Sequence, residues 1–443
     1  MLRLARHDAR PHKIQDLSKK YYIIDFDSTF TQVEALDELA RISLREHPER
    51  EQIYQKIEDL TNLAMEGKLS FRESLAGRVQ LLEANRDHLQ QLVKHLKKQV
   101  STSFSRNKKF FKHHADDVLI VSGGFKEFIT PVVLPFHIKK ENIYANTFVF
   151  NEAGKIVGYD EANPLSNEGG KVKLLHELQL QGEIHGIGDG YSDFQLKESG
   201  MIKKFYAFTE NIERKSVIEK ADHVTPSLDE FLYVNKLPSA ISYPKNRIRC
   251  VVVGHVPDTV TKYMKKEGYA VKHTDSLEEK HIADAAIIIM GNKESISAKK
   301  LVLATKLKVI GYLGKSKHHI PHEQCTAMGV LIFDHAGKPE AIAKRIARFI
   351  DNGDSFKSSN FPNMQLPELK SGHRFIHIYR NAPGTMSLVN QVFATHGINI
   401  TAQFLMTNKL IGYVVTDIDG AYDKQLVKDL KGIDGAVSFR VLY

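Results

Sequence analysis

Tryptophan is absent from the 443 residues, and cysteine nearly so, with Cys250 and Cys325 the two in the chain. Two thiols cannot build a disulfide framework, which excludes a small oxidised scaffold and makes a reducing cytoplasm the expected compartment. Long apolar runs are also lacking: none approaches the ~20 residues that cross a bilayer, so no membrane partner is expected. The start of the chain is basic and polar (Arg3, Arg6, Arg10, Lys13) without the apolar stretch of a secretory signal, and residues 1–19 read as a short disordered tail. Ligand spacings such as HExxH are missing among the 21 histidines. His113/His114 and His318/His319 are adjacent pairs, read as surface residues. No nucleic-acid motif accompanies the formal charge of +9, whose 62 basic residues are spread among 53 acidic ones. A generally basic surface is the expectation, with no nucleic-acid partner.

What is present is a soluble composition, 42% hydrophobic and 26% charged, in a chain long enough for two to four domains. Residues 20–240 alternate short apolar runs with helical stretches, strands being expected near 21–25, 118–122, 184–187 and 205–209. That rhythm predicts a Rossmann-like α/β core, a parallel sheet with helices on both faces. Residues 32–112 form a polar, helix-forming stretch far longer than one crossover needs, so an inserted helical cap is expected there. A second α/β lobe follows over 247–350, with strands near 248–254, 285–290 and 308–313. A Ser/Pro/Asn-rich linker at 351–371 reads as an exposed connection. Residues 372–443 then give strand, helix, two strands, helix, strand, the ferredoxin-like split unit.

Chemistry concentrates at the predicted strand ends. Asp25-Phe26-Asp27-Ser28-Thr29 directly follows the apolar run Tyr21-Tyr22-Ile23-Ile24. In a parallel sheet, ligands bind beyond the carboxyl ends of strands, where these carboxylates fall. Two carboxylates two residues apart invite a hard divalent cation beside phosphate oxygens. Such help is needed, because phosphate monoesters require accelerations up to ~10²¹ and a dianionic phosphate repels a carboxylate nucleophile. The second strand ends in Ser122-Gly123-Gly124, whose hydroxyl and open amides suit phosphate oxygens. Lys171 follows Gly169-Gly170 at a helix start, and a third strand ends in Gly188-Asp189-Gly190-Tyr191-Ser192-Asp193.

In this order the four pieces resemble the haloacid-dehalogenase phosphatase superfamily, with its DxDxT, Ser, Lys and GDGxxD motifs. The cap segment, with Met65, Gly67, Phe71, Glu73 and Arg78, resembles that of phosphoserine phosphatases, and Glu34 falls where they keep an acidic residue. The resemblance implies O-phospho-L-serine as substrate and Mg²⁺ as cofactor. Asp25 would be the nucleophile and Asp27 the general acid and base. Asp25, Asp189 and the Asp27 carbonyl would hold the metal. Ser122, Gly123 and Lys171 would bind phosphate, with Asp193 and Ser192 behind them. Glu34, Arg78, Met65 and Phe71 would meet the substrate. Ser192 stands where many family members carry Asn.

The region from 247 resembles a D-3-phosphoglycerate dehydrogenase lacking its nucleotide-binding lobe: no GxGxxG is present, and Gly291 and Lys293 replace the family's arginines. A structural or assembly role is expected. The last segment resembles that enzyme's ACT regulatory domain. It implies L-serine as effector and a homo-oligomer, with Asn381 and Asn399 matching ligand positions and Tyr379 standing in place of a histidine. The function expected is the last step of L-serine biosynthesis. The alternatives are a phosphatase or phosphotransferase for another small phospho-amino acid, and a non-catalytic serine sensor.

Overall fold

The computed structural model describes residues 19–443 except 66–67, 242, 335–336, 370–371, 421 and 443, and except the side chains of Met65 and Lys317. The expected N-terminal tail lies outside the described residues, apart from Lys19. The chain divides into two compact units, through Phe231 and from Leu232.

In the first unit the strands are β1 (Lys20–Ile24), β2 (Val118–Phe125), β3 (Ile143–Asn146), β4 (Phe148–Phe150), β5 (Ile156–Tyr159), β6 (Glu183–Gly188), β7 (Lys204–Phe208) and β8 (His223–Thr225). Six of them form a parallel sheet in the order β3-β2-β1-β6-β7-β8, and β4 and β5 make a separate hairpin. Ile23, Ile24 and residues 118–121 are buried, as continuous Val/Ile/Leu runs should be in strands covered on both faces. One face packs Ile23, Leu119, Val121 and Phe205 against Leu174 and Leu175. The other is aromatic, with Tyr22 edge-on to Phe110 and Phe231, and Phe30 against Phe104 and Phe111. The chain leaves β1 for β2 on one side and returns to β6 on the other. The carboxyl ends of these three strands therefore flank a topological switch point.

Between Phe30 and β2 run the helices Ala35–Ser43, Arg50–Met65, Phe71–Leu81 and Arg86–Leu96, followed by the short Thr102–Arg106 and Lys108–His113. Phe104, Phe110 and Phe111 from the last two are buried with the core rings, so that stretch packs with the core. His114 and His319 were expected at the surface. They are half-buried instead, against the rings of Tyr22 (centroids 5.3 Å) and Tyr312 (5.3 Å).

The second unit opens with β9 (Arg249–Val253), β10 (Ala270–Thr274), β11 (Ile287–Met290), β12 (Val309–Tyr312) and β13 (Leu331–Phe333), parallel in the order β10-β9-β11-β12-β13. Helix Pro339–Asn352 buries Ile342, Ala343, Ile346, Ala347, Phe349 and Ile350, a 3.6-residue stripe, and stops at Gly353 with φ +79°. The following segment is not the exposed connection its composition suggested. Phe361, Met364 and Leu366 are buried, and Asn360 spans from the Ile332 amide (2.8 Å) to the Val330 carbonyl (2.9 Å).

The chain ends with β14 (His373–Arg380), helix Thr385–Thr395, β15 (Ile400–Thr407), β16 (Ile411–Ile418), helix Lys424–Lys431 and β17 (Ala436–Leu442). The antiparallel sheet has the order β15-β16-β14-β17. Phe375 on one face packs with Val389, Phe393, Leu426 and Leu430 of the two helices. Ile376, Ile378, Tyr413 and Val415 on the other share a core with Val252, Val260, Ile346 and Phe361. Buried Arg374 fixes this arrangement through both Asp417 oxygens (2.7 Å each) and the Pro367 carbonyl (3.0 Å).

Candidate active site

Just past β1 the backbone makes a tight turn over Phe26–Phe30, in which Ser28 takes φ +52°. The turn splits the two aspartates. Asp25 Oδ1 accepts from the Phe26 amide (2.8 Å) and meets Lys171 Nζ at 2.9 Å. The Asp27 carboxyl instead accepts from the Ala35 amide (2.7 Å) at the start of the first cap helix. Burial, with the Glu34 and Asp25 carboxylates beside it, holds the Asp27 carboxyl well above the usual carboxylate range.

Beyond β2, Ser122 Oγ accepts from the Gly124 amide at 2.9 Å. A Cβ built on Gly123 would lie 2.5 Å from the Phe71 ring, so only glycine lets the cap close this far. Lys171, buried at the start of helix Gly170–Leu178, also donates to Asp193 Oδ1 (2.7 Å). Burial works against its ammonium, but the Asp193 and Asp25 carboxylates outweigh that and raise it above the ordinary lysine value. Burial and then Asp25 push the Asp193 carboxyl upward.

The cap contributes helix Phe71–Leu81, started by a Ser70–Glu73 capping box. Phe71 and Arg78, seven residues apart, share one face of it and line the same cavity as Asp25, Asp27, Glu34 and Ser122. With the cap in this closed position the cavity holds about 80 Å³. Ser192 also lines it. The side chain of Met65 lies outside the described residues.

Several participants were missed in the sequence. Arg214 pairs with Asp189 Oδ2 and lies 3.8 Å from Glu34. Thr29 Oγ1 donates to Asp189 Oδ1 at 2.7 Å, and Asn211 ties the turn down through the Ser28 carbonyl (3.0 Å). Arg214 and Asn211 sit in a loop with no strand-end motif; only the repeated charge in Glu210-Asn211-Ile212-Glu213-Arg214 hinted at them. Asp37 and Thr61 back the cap arginine: Thr61 Oγ1 lies 3.3 Å from Arg78 Nη1, and burial with nearby Glu34 raises Asp37 to about 6.

Asp25, Asp189 and Asp193 bring one carboxylate oxygen each within 4.8 Å of one another. Asp193 is committed to Lys171 and to the Gly190 amide (3.1 Å). Asp25 keeps Oδ2 for a hard divalent cation, while Asp189 accepts from Thr29 and pairs with Arg214, so an ion there would share Asp189 with that guanidinium or displace it. The residues fit such an ion.

The three residues singled out in the last domain are not joined by a hydrogen bond among the described residues. Tyr379 is buried, with its ring against Gly412; the Asn381 amide donates to the Asn408 carbonyl (2.8 Å); Asn399 is exposed.

Strand-end carboxylates, a buried lysine, a Ser-Gly-Gly turn and a closing helical cap define a haloacid-dehalogenase phosphatase. Comparisons agree. The chain is 29% identical over 201 residues to the chloroplastic phosphoserine phosphatase of Arabidopsis thaliana, covering 45% of this chain and 65% of that protein. It is 31% identical over 307 residues to D-3-phosphoglycerate dehydrogenase of Escherichia coli K12, covering 65% of this chain and 70% of that one. A 41% identical stretch of 102 residues matches the Haemophilus influenzae enzyme of that name, 23% of this chain and 25% of the relative. The chain thus spans from 25% to 70% of the length of these relatives. A family model for the AHAS small subunit-like ACT domain matches residues 375–438. The chain belongs to the D-3-phosphoglycerate dehydrogenase family through its C-terminal region, which ends in an ACT-type domain, and it is similar to phosphoserine phosphatases over its first part.

Proposed function

We propose that this chain hydrolyses O-phospho-L-serine to L-serine and phosphate, the last step of L-serine biosynthesis. The observation that carries the reading is the split of the two aspartates. Asp25 faces the phosphate-binding lysine, while Asp27 is buried beside Glu34 with its carboxyl held toward the protonated form. Asp25 attacks phosphorus, forming an aspartyl-phosphate as the bond to the serine oxygen breaks. Asp27 gives its proton to that leaving oxygen, then takes one from the water that attacks the intermediate, releasing phosphate and restoring Asp25. Ser122, the Gly123 amide and Lys171 hold the phosphoryl oxygens, and Asp193 keeps Lys171 in place. Glu34 meets the substrate ammonium and buried Arg78 its carboxylate, with Phe71 closing over both. Mg²⁺, held by Asp25, Asp189 and the Asp27 carbonyl, supplies charge neutralisation at the phosphoryl group when bound.

The dehydrogenase reaction is not part of this reading. A side chain at Gly291 would meet the His255 backbone at 2.8 Å, so the position cannot take the family's arginine without rearrangement. The ACT domain serves as a pairing element for a homo-oligomer that responds to L-serine near Asn381, Asn399 and Tyr379.

The test is phosphate release from phosphoserine with magnesium, in the wild type and in Asp25→Asn. Turnover abolished by EDTA and lowered ~10³-fold or more in the variant is the expected result. Release from phosphothreonine but not phosphoserine would keep the mechanism and overturn the substrate. Silence with both would leave the non-catalytic sensor.

A further inference from the structure

A second cavity, of about 580 Å³, opens in the C-terminal unit at the amino ends of β9 and β12, bounded by the end of β17. Its lining is strongly cationic. Arg249 (2.7 Å) and Lys306 (2.9 Å) share the single carboxylate of Asp284, and Lys245 is paired with Asp351 (2.8 Å) and Glu267 (3.0 Å). Lys308 differs from these three. It lines the same cavity, is half-buried, and its ammonium has no hydrogen bond or ion pair among the described residues, while its backbone pairs with Ala286 and Leu331. Its charged neighbour is another cation, Arg440, which donates to the Phe349 carbonyl (2.6 Å) and the Ile350 carbonyl (3.3 Å), with the Tyr413 hydroxyl and the Asp351 carboxylate also near it. Burial, and then Arg440, bring the Lys308 ammonium down to about 8.

A half-buried lysine ammonium beside an arginine, facing an open cleft, leaves positive charge that an anion would compensate. Among the described residues, both carboxylates lining the cavity, Asp284 and Asp351, are paired with other cations. We propose that this cleft binds a small phosphate-bearing anion, with Lys308 as its principal contact and Arg440 contributing charge. A phosphoryl group suits the site because it accepts from a lysine as a point charge and carries up to two negative charges. A cavity of this volume also leaves room for the organic part of a small phosphomonoester. The proposal stands apart from the phosphatase reading, since no residue of that site lines this cleft.

The test is equilibrium binding of inorganic phosphate to the full chain, at constant ionic strength set with chloride, in wild type and Lys308→Met. Two sites per chain are expected in the wild type. In Lys308→Met the second should weaken roughly tenfold or more, with phosphoserine turnover unchanged. One site in the wild type, or two undiminished sites in the variant, overturns the proposal. Should the variant fail to fold, acylation of Lys308 in the wild type decides: phosphate should slow it and chloride should not, and equal rates overturn the proposal. In an Asp25→Asn background, O-phospho-L-serine competing for the second site more tightly than phosphate marks a phosphomonoester as the ligand. Weaker competition marks inorganic phosphate.

Discussion

Glycine 123 decides how closely the cap meets the core. The Phe71 ring occupies the space a side chain there would need, with 2.5 Å between the ring and a built Cβ. Gly123→Ala should therefore push Phe71, and with it helix Phe71–Leu81, away from the Ser122-Gly123-Gly124 turn. Arg78 rides on the same helix, so the shift moves two of the proposed substrate contacts at once. A displacement of ~1 Å in such a site costs on the order of 10²-fold in kcat/KM. Steady-state kinetics on phosphoserine, with the melting temperature measured alongside, would check this. Lost activity with unchanged melting is the expected result, and unchanged kcat/KM would mean that the ring simply rotates aside. Arg214 teaches a related lesson. Its guanidinium lies on Asp189, yet it sits well beyond the end of β7, in a loop whose sequence carries no periodicity. Asp25, Ser122 and Asp189 were legible because each directly follows an apolar strand. Arg214 was not, because only the tertiary fold brings its loop to the site.

Among the elements, β14 carries a buried group with a cost tied to pH. His377 is 2% exposed, lies against the Phe439 and Tyr379 rings, and neither ring nitrogen has a hydrogen-bond partner among the described residues. Burial lowers it from 6.5 to about 4. The unfolded chain therefore binds a proton between those values that the folded chain refuses. The stability contributed is complete above pH 6.5 and is lost as the pH falls toward 4. Denaturant unfolding of the C-terminal unit should lose about 2 kcal/mol between pH 7 and pH 5 from this group, and His377→Leu should flatten that slope. An unchanged slope would place the acid sensitivity elsewhere. The elements themselves were readable to different degrees. Runs such as 118–121 and 285–290 announce strands because every residue is apolar or small. β10, Ala-Val-Lys-His-Thr, is half-exposed and mixed, and β3 and β13 are three or four residues long, so they gave no period to read. The segment after Gly353 misled for the opposite reason. Its buried Phe361, Met364 and Leu366 are set among Ser, Asn and Pro, so composition pointed to solvent while three side chains anchor it in the core.

At the scale of the whole molecule, the candidate catalytic cavity is lined entirely by residues from Asp25 to Gln195, within the first unit. The second unit cannot be divided as easily. Its ACT sheet buries Ile376, Ile378, Tyr413 and Val415 in one core with the α/β lobe and the segment between them. A chain ending near residue 350 would lose that cover from the lobe and should aggregate, whereas one ending near residue 240 removes the unit intact. The shorter chain should keep the kcat of the full chain on phosphoserine. If L-serine acts through the ACT domain, the full chain should respond with a coupling of about 1–3 kcal/mol, beyond the product inhibition that both chains share. Initial rates measured against L-serine in the two chains separate these terms. Identical inhibition curves would reduce the ACT domain to a pairing element. A response confined to the full chain would show that the fusion joins the synthesis of serine to its sensing, and mutating Asn381 or Asn399 should then abolish that response while leaving the basal rate intact.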